Sequence, residues 1–209
     1  MNPFIYPKVR HQRQFAPKKQ YKRYQTYKHL LRLEFNGKCV YCQMPLSLRE
    51  SGHFGVDHYR PKKLYPGLEC EYTNLFYCCN TCNSRKGSYW PGTSAKELTD
   101  FIPNPCDHRM FEHLRFAGAM VEGRTQAGRI AIELLDLNDP AAVELRDFFI
   151  KTAEIFESNK IRLLRTRQAL EQKRKKGGIS LADADAASKE IATELAKLDA
   201  LLNRLHGRV

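Results

Sequence analysis

Apolar residues recur at helical spacing near both ends of this 209-residue chain and at strand spacing only in short pieces between them. From Lys18 to Phe35, Tyr24, Tyr27, Leu30 and Leu31 fall at threes and fours, with Tyr27, Leu31 and Phe35 on one face. Asn36-Gly37 supplies a stop, so a helix is predicted there. Thr125 caps a second candidate helix containing Ile130, Leu134 and Leu135, and Asp139-Pro140 offers a cap followed by proline at the first helical position. Beyond it Phe149, Phe156, Leu163 and Leu170 repeat every seven residues. Gly177-Gly178 breaks the pattern, and Ala184, Ile191, Leu198 and Leu205 resume it with Leu181, Leu195 and Leu202 between them. Ser188 in this seam favours an intramolecular antiparallel hairpin over an oligomerisation zipper.

The strand signals lie in the middle. His53 to His58 alternates loosely through Phe54 and Val56, Asn74-Leu-Phe-Tyr77 is a second apolar run, and Asn80 to Gly87 can start a helix. His113 to Phe116 and Ala119 to Val121 flank Ala117-Gly118 as a hairpin. Met1 to Pro17 is polar, basic and broken by prolines, which predicts an extended arm that orders only on a partner. The expected class is α+β, in four segments: a basic arm and helix (1–38), a chemical core (39–92), a hairpin and connecting helix (93–138) and a helical hairpin suited to partner docking (139–209).

Cysteine placement gives the core its chemistry. Cys39-x-x-Cys42 and Cys79-x-x-Cys82 are two pairs at zinc-ligand spacing, able to close one structural Zn²⁺ tetrahedrally. The 36 residues between them leave room for a strand hairpin that carries Asp57-His58, a carboxylate beside a general base. Paired C-x-x-C motifs alone are more often a zinc ribbon than an enzyme. Asn74, Asn83 and Lys86, following Asp57-His58 in order, favour catalysis.

Hydrolysis of a phosphodiester needs an activated water on one side of phosphorus and charge neutralisation on the other. A neutral His58 can take the water's proton. Asp57, on the opposite strand face, and Asn83, on the helix, offer two oxygen ligands suited to Mg²⁺ or Mn²⁺, and Asn74 is placed to orient His58 by a hydrogen bond. Arg60, Lys62, Arg85 and Lys86 are candidate phosphate contacts, weighed against the ordinary reading of solvated surface cations. His53, His108 and His113 read as surface or packing histidines, and Cys106-Asp107-His108 as a turn.

Charge points the same way. Lysine and arginine total 35 against 23 acids, a net +12, and residues 1–38 hold ten cations against Glu34 alone. Such an excess fits a polyanion, with DNA favoured and RNA open, and tyrosines such as Tyr21, Tyr24 and Tyr27 suit stacking on single strands. No apolar run approaches a membrane span, and seven cysteines with four at metal spacing suit a reducing compartment, so a cytoplasmic protein is expected. A zinc-containing module that binds nucleic acid or protein without catalysis is the competing class.

The motifs C-V-Y-C, V-D-H-Y-R-P-K and N-L-F-Y-C-C-N-T-C-N-S-R-K-G resemble the HNH endonuclease family over roughly Lys38 to Pro91. The resemblance implies a ββα-metal finger with a structural zinc held by four cysteines, here flanked by an N-terminal helix and a C-terminal antiparallel helical hairpin. It places the general base on His58, the metal ligands on Asp57 and Asn83, the middle asparagine on Asn74 and the zinc on Cys39, Cys42, Cys79 and Cys82. Asn83 stands where the third letter of the family motif is often histidine. The H-Y-R-P-K extension, the stretch Phe101 to Cys106 and the helical tail are similar to HNH proteins of bacterial anti-phage systems of the Septu type and their retron-associated relatives. That likeness implies an ATPase partner that gates cleavage and, in some relatives, an RNA target.

Overall fold

Residues 2–48, 51–92 and 94–207 are described by a computed structural model of the chain. The central unit is a two-stranded antiparallel sheet of β1 (Phe54–His58) and β2 (Leu75–Cys79), followed directly by helix α2 (Asn80–Lys86). Asp57 pairs with Phe76 and His58 with Leu75. β2 is buried along its whole length, with Phe76 stacked on Phe35 at 5.5 Å between ring centroids. On the other side Gly55 lets α2 close on β1, since a Cβ at that position would lie 3.3 Å from Asn80 Oδ1 and 3.8 Å from Asn83 Nδ2. The fold is the predicted α+β arrangement, strand, strand and helix around a small interior.

Helix α1 (Lys28–Glu34), entered through a 3-10 turn at Tyr24–Tyr27, lays Tyr27, Leu31 and Phe35 against this unit. It is shorter than its sequence pattern predicts. Lys18, Lys19, Lys22 and Arg23 have no apolar face to bury, and the Tyr21 amide donates to Tyr27 Oη at 2.7 Å rather than into a helical ladder. Asn36 and Gly37, both at positive φ, end the helix as expected.

The N-terminal segment is extended, but it orders on its own chain rather than awaiting a partner. Phe4 and Tyr6 are buried, Tyr6 stacks on Phe116 at 4.7 Å, and its hydroxyl donates to Tyr41 O. The Arg13 guanidinium sits over the rings of Phe35, Tyr72 and Phe76 and donates to Leu75 O at 2.8 Å. Glu34, buried at the end of α1, is the anchor, accepting from His11 Nε2 (2.5 Å), the amides of Gln14 and Phe15, and Tyr72 Oη. Net hydrophilicity concealed these apolar and ionic attachments.

After a short helix α3 (Ser94–Glu97) the chain forms α4 (Met110–His113), then the hairpin of β3 (Leu114–Ala117) and β4 (Met120–Gly123), turning at Gly118 with φ 60°. Helix α5 (Gln126–Leu135) starts at Thr125, whose hydroxyl accepts from the Gly128 amide. Gly128 permits the close approach of this helix to α4, because a Cβ there would sit 2.0 Å from His113 O.

Two long helices complete the chain, α6 (Pro140–Lys175) and α7 (Leu181–Leu205), packed as the predicted hairpin. Asp139 caps α6 through Ala142 N, and Ser180 caps α7. At the base Ala153, Leu202 and Leu205 pack with Phe149 and Phe156, while Leu181, expected in the seam, is exposed. The buried Arg146 fastens α6 to the core by donating to Ala119 O (2.6 Å) and Leu137 O (2.8 Å). The end of α7 returns to the core, where Arg204 O accepts from Ser47 Oγ. No helix among the described residues is long and apolar enough to cross a membrane.

Candidate active site and metal cluster

The four predicted zinc ligands come together because the tight turn at Cys39–Cys42 pairs with β2 while Cys79 caps α2. Val40 N donates to Tyr77 O, Gln43 takes positive φ, and Cys79 Sγ accepts from Cys82 N. The sulfurs of Cys39, Cys42, Cys79 and Cys82 lie within 4.8 Å of one another, with Cys42 and Cys79 at 3.8 Å. A Zn–S tetrahedron with bonds of about 2.3 Å has sulfur separations of about 3.8 Å, so the set fits Zn²⁺. Hydrogen bonds from Cys39, Cys42 and Cys82 hold the Cys79 thiol far below its usual range, while burial pushes Cys39 well up.

Asp57 and His58 end β1 on opposite faces. The His58 ring is half-buried and lies edge-on to Tyr24 at 4.6 Å between centroids; its Nε2 is 2.9 Å from Glu69 O. A carbonyl only accepts, so Nε2 carries the proton and the neutral ring keeps its lone pair on Nδ1. Burial holds the imidazole below its ordinary 6.5, partly offset by the Glu69 bond and the Asp57 charge. The ring is therefore predominantly neutral at pH 7.

Asp57 is only 2% exposed. Its Oδ2 accepts from Tyr41 Oη at 2.6 Å and its Oδ1 pairs with Lys86 Nζ at 3.0 Å, while Nζ also donates to His58 O at 2.8 Å. Burial and the adjacent Asp57 charge push Tyr41 well above its usual value, keeping it a donor. Asn83 is half-buried on the α2 face that meets β1. A carboxylate and an amide are donors suited to a hard divalent ion that retains several waters. The donor chemistry fits such an ion, with the condition that it shares Asp57 with the Lys86 ammonium.

Three sequence expectations change here. Asn74 is buried, but its amide bonds Arg60 N, Arg60 O and Leu68 O, so it closes the 59–74 loop, and the His58 ring is held instead by Glu69 O. Lys86 does not face solvent phosphate, because its side chain is 1% exposed and paired with Asp57. Arg85 pairs with Asp136 and Asp139 and donates to Leu135 O, tying α2 to the start of α6. Arg60 and Lys62 are exposed near His58, Arg60 over the Tyr65 and Trp90 rings and Lys62 over Tyr24 and 3.3 Å from Glu69. A cleft of about 1500 Å³ between the N-terminal segment, α1 and the end of α7 contains none of Asp57, His58, Asn74 and Asn83.

Tyr24, Tyr41 and Glu69 contact the Asp-His pair without having been singled out for it. Tyr41 had a signal of sorts, an aromatic inside C-V-Y-C. Tyr24 lies far upstream, and Glu69 acts through its backbone, which no side-chain pattern reveals.

Residues 39–89 match the family model described as HNH endonuclease, and the chain carries an HNH endonuclease domain. Among curated proteins it is similar to the Septu protein PtuB of Bacillus thuringiensis, 34% identical over 103 residues that cover 49% of this chain and 37% of that protein. It is also similar to the Septu protein PtuB of Bacillus mycoides (strain KBAB4), 29% identical over 169 residues, 67% of this chain and 55% of that protein. The chain thus spans about half or less of the length of these relatives. No solved structure matches it.

Proposed function

We propose that the chain is a metal-dependent endonuclease that hydrolyses phosphodiester bonds of nucleic acid, DNA ahead of RNA. The observation that carries this reading is the His58 ring fixed by Glu69 O, with Nδ1 as its lone pair, beside Asp57 and Asn83 in an HNH domain. His58 takes a proton through Nδ1 from a water whose oxygen bonds to phosphorus, and the ester P–O bond on the far side breaks. Asp57 and Asn83 would hold Mg²⁺ or Mn²⁺, which when bound supplies neutralisation of the charge on phosphate and leaving oxygen. Arg60 and Lys62 steady the flanking backbone. Cys39, Cys42, Cys79 and Cys82 would hold a structural Zn²⁺.

Likeness to the Septu protein PtuB extends the proposal to an effector nuclease of bacterial anti-phage defence, gated by an ATPase partner. The base of α6 exposes Phe148 (60%) and Ile155 (59%), a suitable docking face for that partner. One observation favours the alternative of a non-catalytic zinc module: the Asp57 carboxylate is already buried against a cation.

The deciding experiment incubates plasmid DNA and cellular RNA with the purified protein in Mg²⁺, Mn²⁺ or EDTA, beside His58→Ala. Metal-dependent cutting that falls at least about a hundredfold in the variant is expected, the scale of a lost general base. Equal cutting by His58→Ala sinks the assignment. A protein that cuts neither substrate until an ATPase partner is added supports the gated form, and one that binds but never cuts leaves the module reading.

A further inference from the structure

Between Lys160 and Lys176, α6 and the turn after it carry eight lysines or arginines against one acid, Glu171, a local net of +7. Three of these cations are committed at close range: Lys160 pairs with Asp199 of α7, Arg174 with Glu171 at 2.8 Å, and Lys175 with Glu171 at 3.9 Å. The other five, Arg162, Arg165, Arg167, Lys173 and Lys176, are exposed and have no ion-pair partner among the described residues. α7 carries Asp183, Asp185, Glu190, Glu194 and Asp199, of which Glu194 faces Lys197 and Asp183 bonds Ser180.

Four of the five, Arg162, Arg165, Lys173 and Lys176, share one side of the helix, and Arg167 lies apart toward the seam side. At about 100° per residue the four fall within a wedge of about 80°, on the side of α6 away from the Phe149, Phe156, Leu163 and Leu170 seam. Their span along the axis is about 21 Å, some six phosphates of one strand at about 3.4 Å each. Arg85 ties the start of α6 to α2, the helix that follows β2. Arg162 lies about 33 Å and Lys176 about 54 Å along α6.

We infer that the distal half of the helical hairpin is a second nucleic-acid contact, a stripe of Arg162, Arg165, Lys173 and Lys176 that binds the phosphodiester backbone remote from the scissile bond. The periodic, unpaired, single-sign placement matches a linear polyanion. The apolar Phe148 and Ile155 lie nearer the base, separate from it. Counted from Pro140, the stripe begins about 33 Å along α6, the length of about ten base pairs at about 3.4 Å each, which sets the duplex lengths of the test. This inference rests on the nuclease reading for its ligand, and its test separates binding from cleavage.

The test uses the full chain with His58→Ala in EDTA and fluorescently labelled duplexes of 8 and 30 base pairs, an RNA hairpin of matching length, and labelled polyglutamate. Binding is followed by anisotropy across salt concentrations, with and without Arg162→Gln, Arg165→Gln, Lys173→Gln and Lys176→Gln combined. The combined variant is expected to weaken the long duplex or RNA at least about tenfold and to shallow its salt slope by about 3.6, with the 8-base-pair affinity changed less than about twofold. The DNA and RNA arms report which backbone is preferred. Unchanged long-duplex affinity overturns the inference, as does equal loss on the short duplex. Polyglutamate binding as tight as the long duplex, lost equally in the variant, assigns the stripe to an acidic protein and overturns it too. Cleavage of a short duplex, measured separately with His58 intact, reports on the nuclease reading alone.

Discussion

At the residue scale, the buried Asp57–Lys86 pair and the anchor at Glu34 each yield a prediction. Replacing Lys86 by Met leaves Asp57 charged in the interior beside Tyr41, at a cost of about 3–5 kcal/mol. Adding Asp57→Asn removes that uncompensated charge and recovers much of the loss; urea denaturation of the two single variants and the double gives the coupling. Glu34 is held below its ordinary 4.5: burial pushes it up, but hydrogen bonds from His11, Phe15, Gln14 and Tyr72 outweigh burial. A carboxyl depressed on folding stabilises the native state fully above about 4.5 and loses that contribution as pH falls through its folded value. Urea midpoints between pH 6 and 3 should therefore fall in the wild type and vary less in Glu34→Gln. In that variant trypsin should also cut faster after Arg10 and Arg13 at pH 7.

At the element scale, the zinc turn and the glycine contact between α5 and α4 are the brittle joints. Chelation or Cys39→Ser should release about one Zn²⁺ per chain, measured by metal analysis, and with it the ordered end of β2 and the cap of α2. Gly128→Ala places a methyl 2.0 Å from His113 O, between backbones that cannot rotate aside. A loss of about 1–3 kcal/mol, read as a lower melting temperature, is the expected cost of overpacking there. Most of these elements were legible beforehand, since β1, β2, α2 and both hairpins follow from local apolar pattern, caps and glycine stops. The stretch before α1 was not. Its tyrosines pack on the core without a helix, and the Tyr21–Tyr27 bond drew the backbone elsewhere.

At the scale of the whole molecule, sequence reasoning missed the long-range side-chain pairs that no spacing rule or repeat announces. Arg85 and Lys86 look like phosphate contacts in N-S-R-K-G, yet Arg85 closes on Asp136 and Asp139 some fifty residues later, and Lys86 on an acid in another element. The four cysteines were legible because metal geometry constrains spacing. The docking of residues 2–15 was not, because Glu34 gathers two backbone amides that carry no side-chain signature. Tyr41 joins these scales, standing between two zinc-site cysteines while its hydroxyl grips the Asp57 carboxylate. Zinc held by the four cysteines would fix the turn that carries Tyr41, and with it one of the two fastenings of the Asp57 carboxylate. On the proposed nuclease reading, a cutting centre would then depend on zinc supply as well as on the divalent ion at Asp57 and Asn83.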